Sequence, residues 1–220
     1  MNRDIQDIKR DLTHVYWLGG SSCAGKTTIS ERFENQLGFS LYHTDSKWWT
    51  DHMQSAEPDC HPGMVAYREF TSSTQSIQEW FDTIPVADLV ELQIKFFTEE
   101  FEMIIDDLYE LPRDQPILAE GSALSPSQVS SVTEPHQALW LISTESFERN
   151  IRQQRFEGNP DIEIGPWFDN MITWSSKRKK RTISQAEHLG LKVIETDGNR
   201  SIQDTFDMIR SHFKLETNNP

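Results

Sequence analysis

Five short apolar runs punctuate the chain, at residues 15–18, 39–43, 116–119, 138–142 and 191–195, with longer amphipathic stretches between them. Runs that are short and apolar throughout predict strands buried on both faces. Their alternation with helical patterns predicts an α/β fold with a parallel sheet. Residues 26–37 read as a helix that stops at Gly38, because glycine readily takes the left-handed backbone that closes a helix. The widest gap, 46–113, contains Pro58, Pro62 and Gly63, followed by two helical stretches at about 73–81 and 86–111. In the second stretch Leu89, Leu92, Phe96, Phe97, Met103, Ile104 and Leu108 recur at helical spacing. A further long section, 145–190, separates the fourth and fifth strands, and 202–213 forms a final amphipathic helix. With no repeat and no low-complexity linker, residues 1–220 read as a single domain with helical material inserted at 46–113.

The first strand runs into Gly20-Ser21-Ser22-Cys23-Ala24-Gly25-Lys26-Thr27, which fits G-x-x-x-x-G-K-[ST] at every fixed position. Small residues at this spacing let successive backbone N–H groups turn inward around a phosphate, and the helix starting near Lys26 adds its N-terminal dipole. Lys26 is the group that reaches β- and γ-phosphates, and the Thr27 hydroxyl is the candidate Mg²⁺ ligand. Residues 20–28, from Gly20 to Thr28, are therefore the candidate nucleotide-binding segment. Cys23 admits two readings: a thiolate favoured by the helix N-terminus, or a small residue tolerated where only backbone matters.

Two acids follow. Glu120 ends the third strand, at the carboxyl edge where α/β sheets bind ligands, and can hold a magnesium-bound water or orient an acceptor. The glycine after it, Gly121, suggests close approach of backbone to ligand. Asp45 ends the second strand and can take a hydroxyl proton, although it or Thr44 can equally cap a helix beginning at Ser46. Trp48 and Trp49 beside it can form an aromatic wall for a base or sugar, or belong to core or rim.

After the fourth strand a helix carries Arg149, Arg152 and Arg155 at three-residue spacing, so neighbours share a face. Their planar forks suit a transferring phosphoryl group; pairing with Glu145, Glu148 and Glu157 on a solvated face is the competing role. The five successive cations Lys177 to Arg181 point in every direction on a helix and read as a solvated face. Asp197 and Gly198 make a turn between the fifth strand and the last helix, where Ser201 can cap. With Arg200, this loop either covers a nucleotide base or is a plain connector. Asp59, Cys60 and His61 match no metal-ligand spacing.

Charge narrows the partners. Lys+Arg number 21 against 35 Asp+Glu, a net of −14, which opposes binding to nucleic acid or anionic membrane. No apolar run approaches membrane-span length, the two cysteines make no disulfide framework, and the polar N-terminus lacks a signal-peptide core. A cytoplasmic location is expected.

The segments "GGSSCAGKTT", "YHTDS", "ILAEG", "LISTESFERNIRQQR" and "VIETDGNRS" resemble the P-loop kinase superfamily that includes nucleotide, shikimate, gluconate and 2-phosphoglycerate kinases. Only the first of these is a specific motif. The resemblance implies a three-layer P-loop NTPase fold with a five-stranded parallel sheet in the order 2-3-1-4-5. It also implies a mobile arginine-bearing helical lid (145–190, with its following helix) and a helical insertion (46–113) over the acceptor. It further implies Mg²⁺ and ATP as donor, with a γ-phosphoryl group passed to a hydroxyl of a small-molecule acceptor by a monomer or homodimer. Lys26 and Thr27 would handle phosphates and metal, Asp45 the acceptor, and Arg152 and Arg155 the lid contacts. Glu120 departs from the Asp usual at that strand end, which weighs against direct metal ligation. The insertion carries no acceptor signature. A nucleoside or nucleotide kinase and a nucleotide-binding regulatory ATPase are the alternatives; neither an N-K-x-D guanine reader nor a D-x-x-G switch segment is present.

Overall fold

The computed structural model describes residues 3–73, 76–157, 159 and 162–215. All five apolar runs are strands: β1 (Val15–Gly20), β2 (Ser40–His43), β3 (Ile117–Gly121), β4 (Ala138–Ser143) and β5 (Lys192–Thr196). They pair in parallel in the order β2-β3-β1-β4-β5, so β1 is central and β3 separates it from β2. Side chains alternate across a strand. Val15, Trp17, Ile117, Ala119, Ala138 and Trp140 therefore build the core on one face, and Leu18, Leu118, Leu139, Leu141 and Ile194 the core on the other. Both faces of β1, β3 and β4 are covered, which is why those runs are apolar at consecutive positions; the edge strands β2 and β5 keep partly exposed polar positions.

The helices are α1 (Ile5–Asp11), α2 (Lys26–Leu37), α3 (Thr44–Lys47), α4 (Met53–Ser55), α5 (Pro62–Ser73), α6 (Ile77–Thr83), α7 (Val86–Glu110), α8 (Pro126–Val132), α9 (Glu145–Glu157), α10 (Pro166–His188) and α11 (Ile202–His212). Phe33 of α2 and Phe206 and Ile209 of α11 close one face of the sheet. Residues of α1, α7, α8 and α10, among them Ile8, Ile104, Val129 and Ala186, close the other. The result is three layers. A separate core joins insertion to lid region: Phe81 of α6 and Leu89 of α7 pack with Trp167, Phe168, Met171 and Ile172 of α10.

The insertion departs from its sequence pattern in two places. The single helix expected over 73–81 is two helices, and residues 74–75 of that span lie outside the described residues. α6 restarts after Ser76, whose Oγ caps Glu79 N at 3.2 Å. α5 begins at Pro62, where the sequence suggested a break. Proline fits the first helical position because its missing N–H would have no partner there. α1, α3, α4 and α8 have seven residues or fewer, too short for periodicity to reveal. Between α3 and α4 the chain forms a π-helical turn, Trp48–His52.

That turn seats His52 between two carboxylates: Nδ1 lies 3.0 Å from Glu100 Oε1 and Nε2 lies 3.2 Å from Asp107 Oδ2. Asp107 also accepts from Tyr42 Oη at 2.7 Å. Burial opposes the imidazolium, but Glu100 and Asp107 outweigh it and raise the His52 pKa. Burial likewise raises the Glu100 carboxyl. Each group holds its proton more tightly when folded, so the stabilisation is complete at low pH and lost as pH rises through the raised values. The melting temperature is expected to fall as pH climbs above about 6.5, the ordinary histidine value. His52→Gln should flatten that slope in thermal melts; an unchanged slope would show that other groups cause it.

Candidate active site

Residues 20–28 link the central strand to α2. Gly25, the residue before the helix, has φ 86° and no side chain caps the turn, so the first N–H groups of α2 have no side-chain acceptor. β4 holds the loop in place. Ser21 N donates to Leu141 O at 2.9 Å, Ser143 N donates to Ser21 Oγ at 2.8 Å, and Ser143 Oγ donates to Ser22 O at 3.0 Å. Lys26 is buried and its Nζ donates to Ser21 O at 2.9 Å. Burial lowers the Lys26 pKa, while Asp45 and Glu120 act to raise it. Such a loop, with uncapped N–H groups at the head of α2 and a fixed cation, can bind a polyphosphate. Cys23 has φ 60°. Burial raises its thiol pKa despite the opposing pull of Arg152, Arg155 and Lys26, which disfavours the thiolate reading.

Glu120 is buried and accepts from Thr27 Oγ1 at 3.4 Å, with His43 Nδ1 2.7 Å from the same oxygen. A hydroxyl facing a carboxylate at the head of α2 is the hard-oxygen donor set that suits Mg²⁺. A Cβ on Gly121 would lie 1.8 Å from Thr44 Oγ1. The close approach suggested for this glycine is therefore toward Thr44, and it seats the start of α3 against the end of β3.

Asp45 follows directly. Its Oδ1 accepts from Ser122 N at 2.9 Å and its Oδ2 from Ser122 Oγ at 3.2 Å. The capping position of α3 is His43, with no side-chain cap bond. The capping alternative for Asp45 and Thr44 is thus not what the fold uses; Asp45 is braced across the sheet edge by the segment after β3.

Asp45 opens into a cavity of about 250 Å³ walled by Trp48, Trp49, Tyr67, Trp80 and Trp174, with Gln93, Arg152 and Arg178 on its lining. The two roles weighed for the tryptophan pair divide between them: Trp48 is buried, and the half-exposed Trp49 stacks on it at 5.0 Å and 10°. Gln93 is 3% exposed and its Oε1 has no partner among the described residues.

The solvated-face reading of 177–181 fails for two of its five cations. Arg178 turns inward, its guanidinium 4.7 Å from the Trp174 ring centroid and 5.1 Å from that of Phe97. Burial brings its pKa down to about 10, so it remains a cation at neutral pH. Lys179 is buried, with Nζ 2.9 Å from Glu148 Oε2 and 3.0 Å from Ser143 O. A run of consecutive cations carries no periodic signal, and only packing of α10 against α6, α7 and α9 decides which of them face inward.

Glu148 is itself fully buried and is the meeting point of the lid region. Arg152 Nε reaches Oε1 at 2.8 Å, and Ser175 Oγ is 2.8 Å from both oxygens. Burial alone would raise the Glu148 pKa, but Arg152, Lys179 and Ser175 bring it below the ordinary value. Arg152 thus pairs with Glu148 as the competing role had it, but in the interior and on the cavity wall. Arg149 pairs with Asp169 at 2.7 Å, away from the cavity lining. Arg155 is exposed and close enough to act on Cys23.

On the far side of the loop, Cys23, Gly25, Thr28, Phe147, Gly198 and Arg200 line a second cleft, of about 210 Å³. Arg200 Nη1 donates to Glu195 O at 3.2 Å. Phe147 escaped the sequence reading because an aromatic at a helix start looks like core. The structure therefore brings Lys26, Thr27, Asp45 and Glu120 together at the head of α2, with Arg152 on the cavity beside Asp45, and sets Gly198 and Arg200 in the other cleft with Cys23, the residue on which Arg155 acts.

Strand order and the glycine-rich loop after β1 together define a P-loop α/β architecture. No protein-family model and no curated protein sequence matches the chain. Similar solved structures include a shikimate kinase from Acinetobacter baumannii in complex with shikimate, at 17% identity over 97% of this chain and 100% of that one, TM-score 0.47. A shikimate kinase from Bacteroides thetaiotaomicron matches at 16% over 91% and 98%, TM-score 0.46. A gluconokinase from Sinorhizobium meliloti 1021 matches at 12% over 92% of each, TM-score 0.43. At these values the likeness carries neither activity nor substrate to this chain.

The second cleft yields a test of nucleotide placement. Gly198 has φ 87°, and a Cβ there would lie 2.6 Å from the Phe147 ring. Gly198→Val is expected to weaken ATP binding by roughly tenfold, from backbone strain of about 1–3 kcal/mol and displacement of Phe147. Isothermal titration calorimetry measures this; an unchanged Kd would remove the base from this cleft.

Proposed function

We propose that the protein is an ATP-dependent kinase that transfers the γ-phosphoryl group to a hydroxyl of a small-molecule acceptor. The observation that carries this reading is the position of Asp45. Its carboxylate is held by Ser122, opens into the aromatic cavity, and acts electrostatically on Lys26 of the loop. Donor and acceptor halves thus meet at one carboxylate.

Phosphoryl transfer depends on positioning and charge neutralisation more than on covalent chemistry. In this reading the N–H groups of residues 20–28 and the Lys26 ammonium bind the β- and γ-phosphates. Thr27 supplies a hydroxyl to Mg²⁺, with Glu120 beside it; the ion, when bound, neutralises charge on the phosphate oxygens. Asp45 orients the acceptor hydroxyl and takes its proton. Arg152, on the cavity wall, and Arg155 near the loop stabilise charge on the transferring group. Gly198 and Arg200 border the base.

A second reading of the acceptor has its own support. The Gln93 amide, buried among aromatic rings with an unpartnered oxygen, has the donor and acceptor pair that reads a base edge. A nucleoside or nucleotide acceptor is therefore the leading alternative to a sugar or hydroxy acid. ATP consumption by purified protein against panels of sugars, hydroxy acids, nucleosides and aminoglycosides separates them. If no acceptor stimulates consumption while ATP still raises the melting temperature, the regulatory-ATPase reading replaces the kinase.

Two substitutions test the mechanism. Lys26→Ala is expected to lower turnover by about 10²–10³-fold, the scale of losing one preorganised charge contact, with the melting temperature nearly unchanged. Wild-type turnover would sink the loop assignment. Asp45→Asn keeps an oxygen for Ser122 N but no longer accepts a proton, so kcat should fall by about 10²–10⁴-fold with little change in ATP affinity. A fall in melting temperature with kcat preserved would make Asp45 a structural brace.

A further inference from the structure

Arg178 also borders a further cavity, beside the aromatic one. This cavity lies between the start of the phosphate loop, the segment after β3, α7 and α10, and has a volume of about 150 Å³. That equals the liquid volume of roughly five waters at ~30 Å³ each, so a compact molecule fits and a nucleotide does not. Lys26, Thr27, Asp45 and Glu120 are not among the residues lining it; Ser22, Ser122 and Arg178 are shared with the aromatic cavity.

The charge of the lining is unlike that of the chain. The protein has 35 acidic residues and a net of −14, yet no aspartate or glutamate lines this cavity, whereas Arg178, Lys179 and Arg181 all do. Lys179 is neutralised by Glu148. Among the described residues, Arg178 and Arg181 have no carboxylate within ion-pair distance. Arg178 is the more demanding of the two: two aromatic rings contact its charge, and Asp45 and Glu148 act on it only from beyond ion-pair distance, so a ligand anion would complete its pairing. Hydroxyl groups of Thr98, Ser127 and Thr182 add donors on the same lining. Guanidinium forks with hydroxyls around them form a receptor for a planar or tetrahedral oxyanion.

We propose that this cavity is a second, anion-specific site, taking a small phosphate- or carboxylate-bearing molecule between Arg178 and Arg181. The site adjoins the start of the nucleotide loop, with Gly20, Ser21 and Ser22 on its lining but neither Lys26 nor Thr27, and its cations are in place whether or not the protein is a kinase. Through Arg178 an anion there reaches the wall of the aromatic cavity.

The test is calorimetric titration of the full-length protein with inorganic phosphate in one arm and acetate in the other. Mg²⁺ and a saturating non-hydrolysable ATP analogue are present so that the loop is filled. One equivalent of anion is expected to bind in at least one arm. Arg181→Gln and Arg178→Lys should each weaken it about tenfold, the first through charge and the second through loss of the bidentate fork. Arg181 is exposed, so its variant is informative even if altering Arg178 disturbs packing. Binding in the phosphate arm alone names a phosphate ester, and in the acetate arm alone a carboxylate; either supports the site. No binding in either arm overturns it, as does binding that neither Arg181→Gln nor Arg178→Lys weakens. Failure here leaves turnover intact, and absence of turnover leaves this binding intact, so the two proposals fall separately.

Discussion

The Glu148 carboxylate is the interaction on which the geometry around the loop depends. It is fully buried and collects Arg152 from its own helix and Ser175 and Lys179 from α10. Taking a carboxylate out of water costs several kcal/mol, and removing one member of such a buried pair typically costs about 3–5 kcal/mol because the other charge is stranded. The links continue from Lys179 to Ser143 O at the end of β4, and from Ser143 to Ser21 and Ser22 of the loop. One carboxylate therefore ties α9 to α10 and both to the loop. It also fixes the rotation of α10, and with it the direction of Arg178, one residue before Lys179.

This linkage explains what sequence could and could not reveal. The inner strands were legible because burial on both faces leaves β1, β3 and β4 largely apolar, whereas the edge strands β2 and β5 keep Ser40, His43, Lys192 and Glu195, and the loop because its chemistry needs particular residues at fixed spacing. Glu120 was legible as an acid near a strand end, at the ligand edge of a parallel sheet; Asp45, expected to end the second strand, instead lies in α3, since β2 stops at His43. Arg178 and Lys179 were not. Five adjacent cations look alike until a distant partner, Glu148 thirty residues earlier, selects the helix face that is buried. Short helices such as α3 and α8 were hidden for a related reason, since they are stabilised by contacts across the fold. Gly121 was expected to let backbone approach a ligand, but the neighbour it accommodates is the Thr44 side chain.

Electrostatics is arranged against the overall composition. A chain with net charge −14 concentrates cations where its cavities converge: Lys26, Arg152 and Arg178 all surround the end of the loop, and the carboxylates admitted there are the braced Asp45 and Glu120. Such segregation concentrates positive potential in enclosed, low-dielectric space, where each fixed charge counts for more.

The aromatic cavity adds selectivity of a different kind. Its walls come from two parts of the chain that share a core of their own, with Phe81 and Leu89 from the insertion packed on Trp167, Phe168 and Met171 of α10. Trp174 of α10 and Trp80 of α6 face the same space from opposite sides. The cavity wall and the helix carrying Arg178 and Lys179 are thus one packed unit, and that unit is joined to the glycine-rich loop through Ser143. The aromatic cavity and the loop are therefore connected through α10 as well as through Asp45, and this second connection follows from the placement of Glu148.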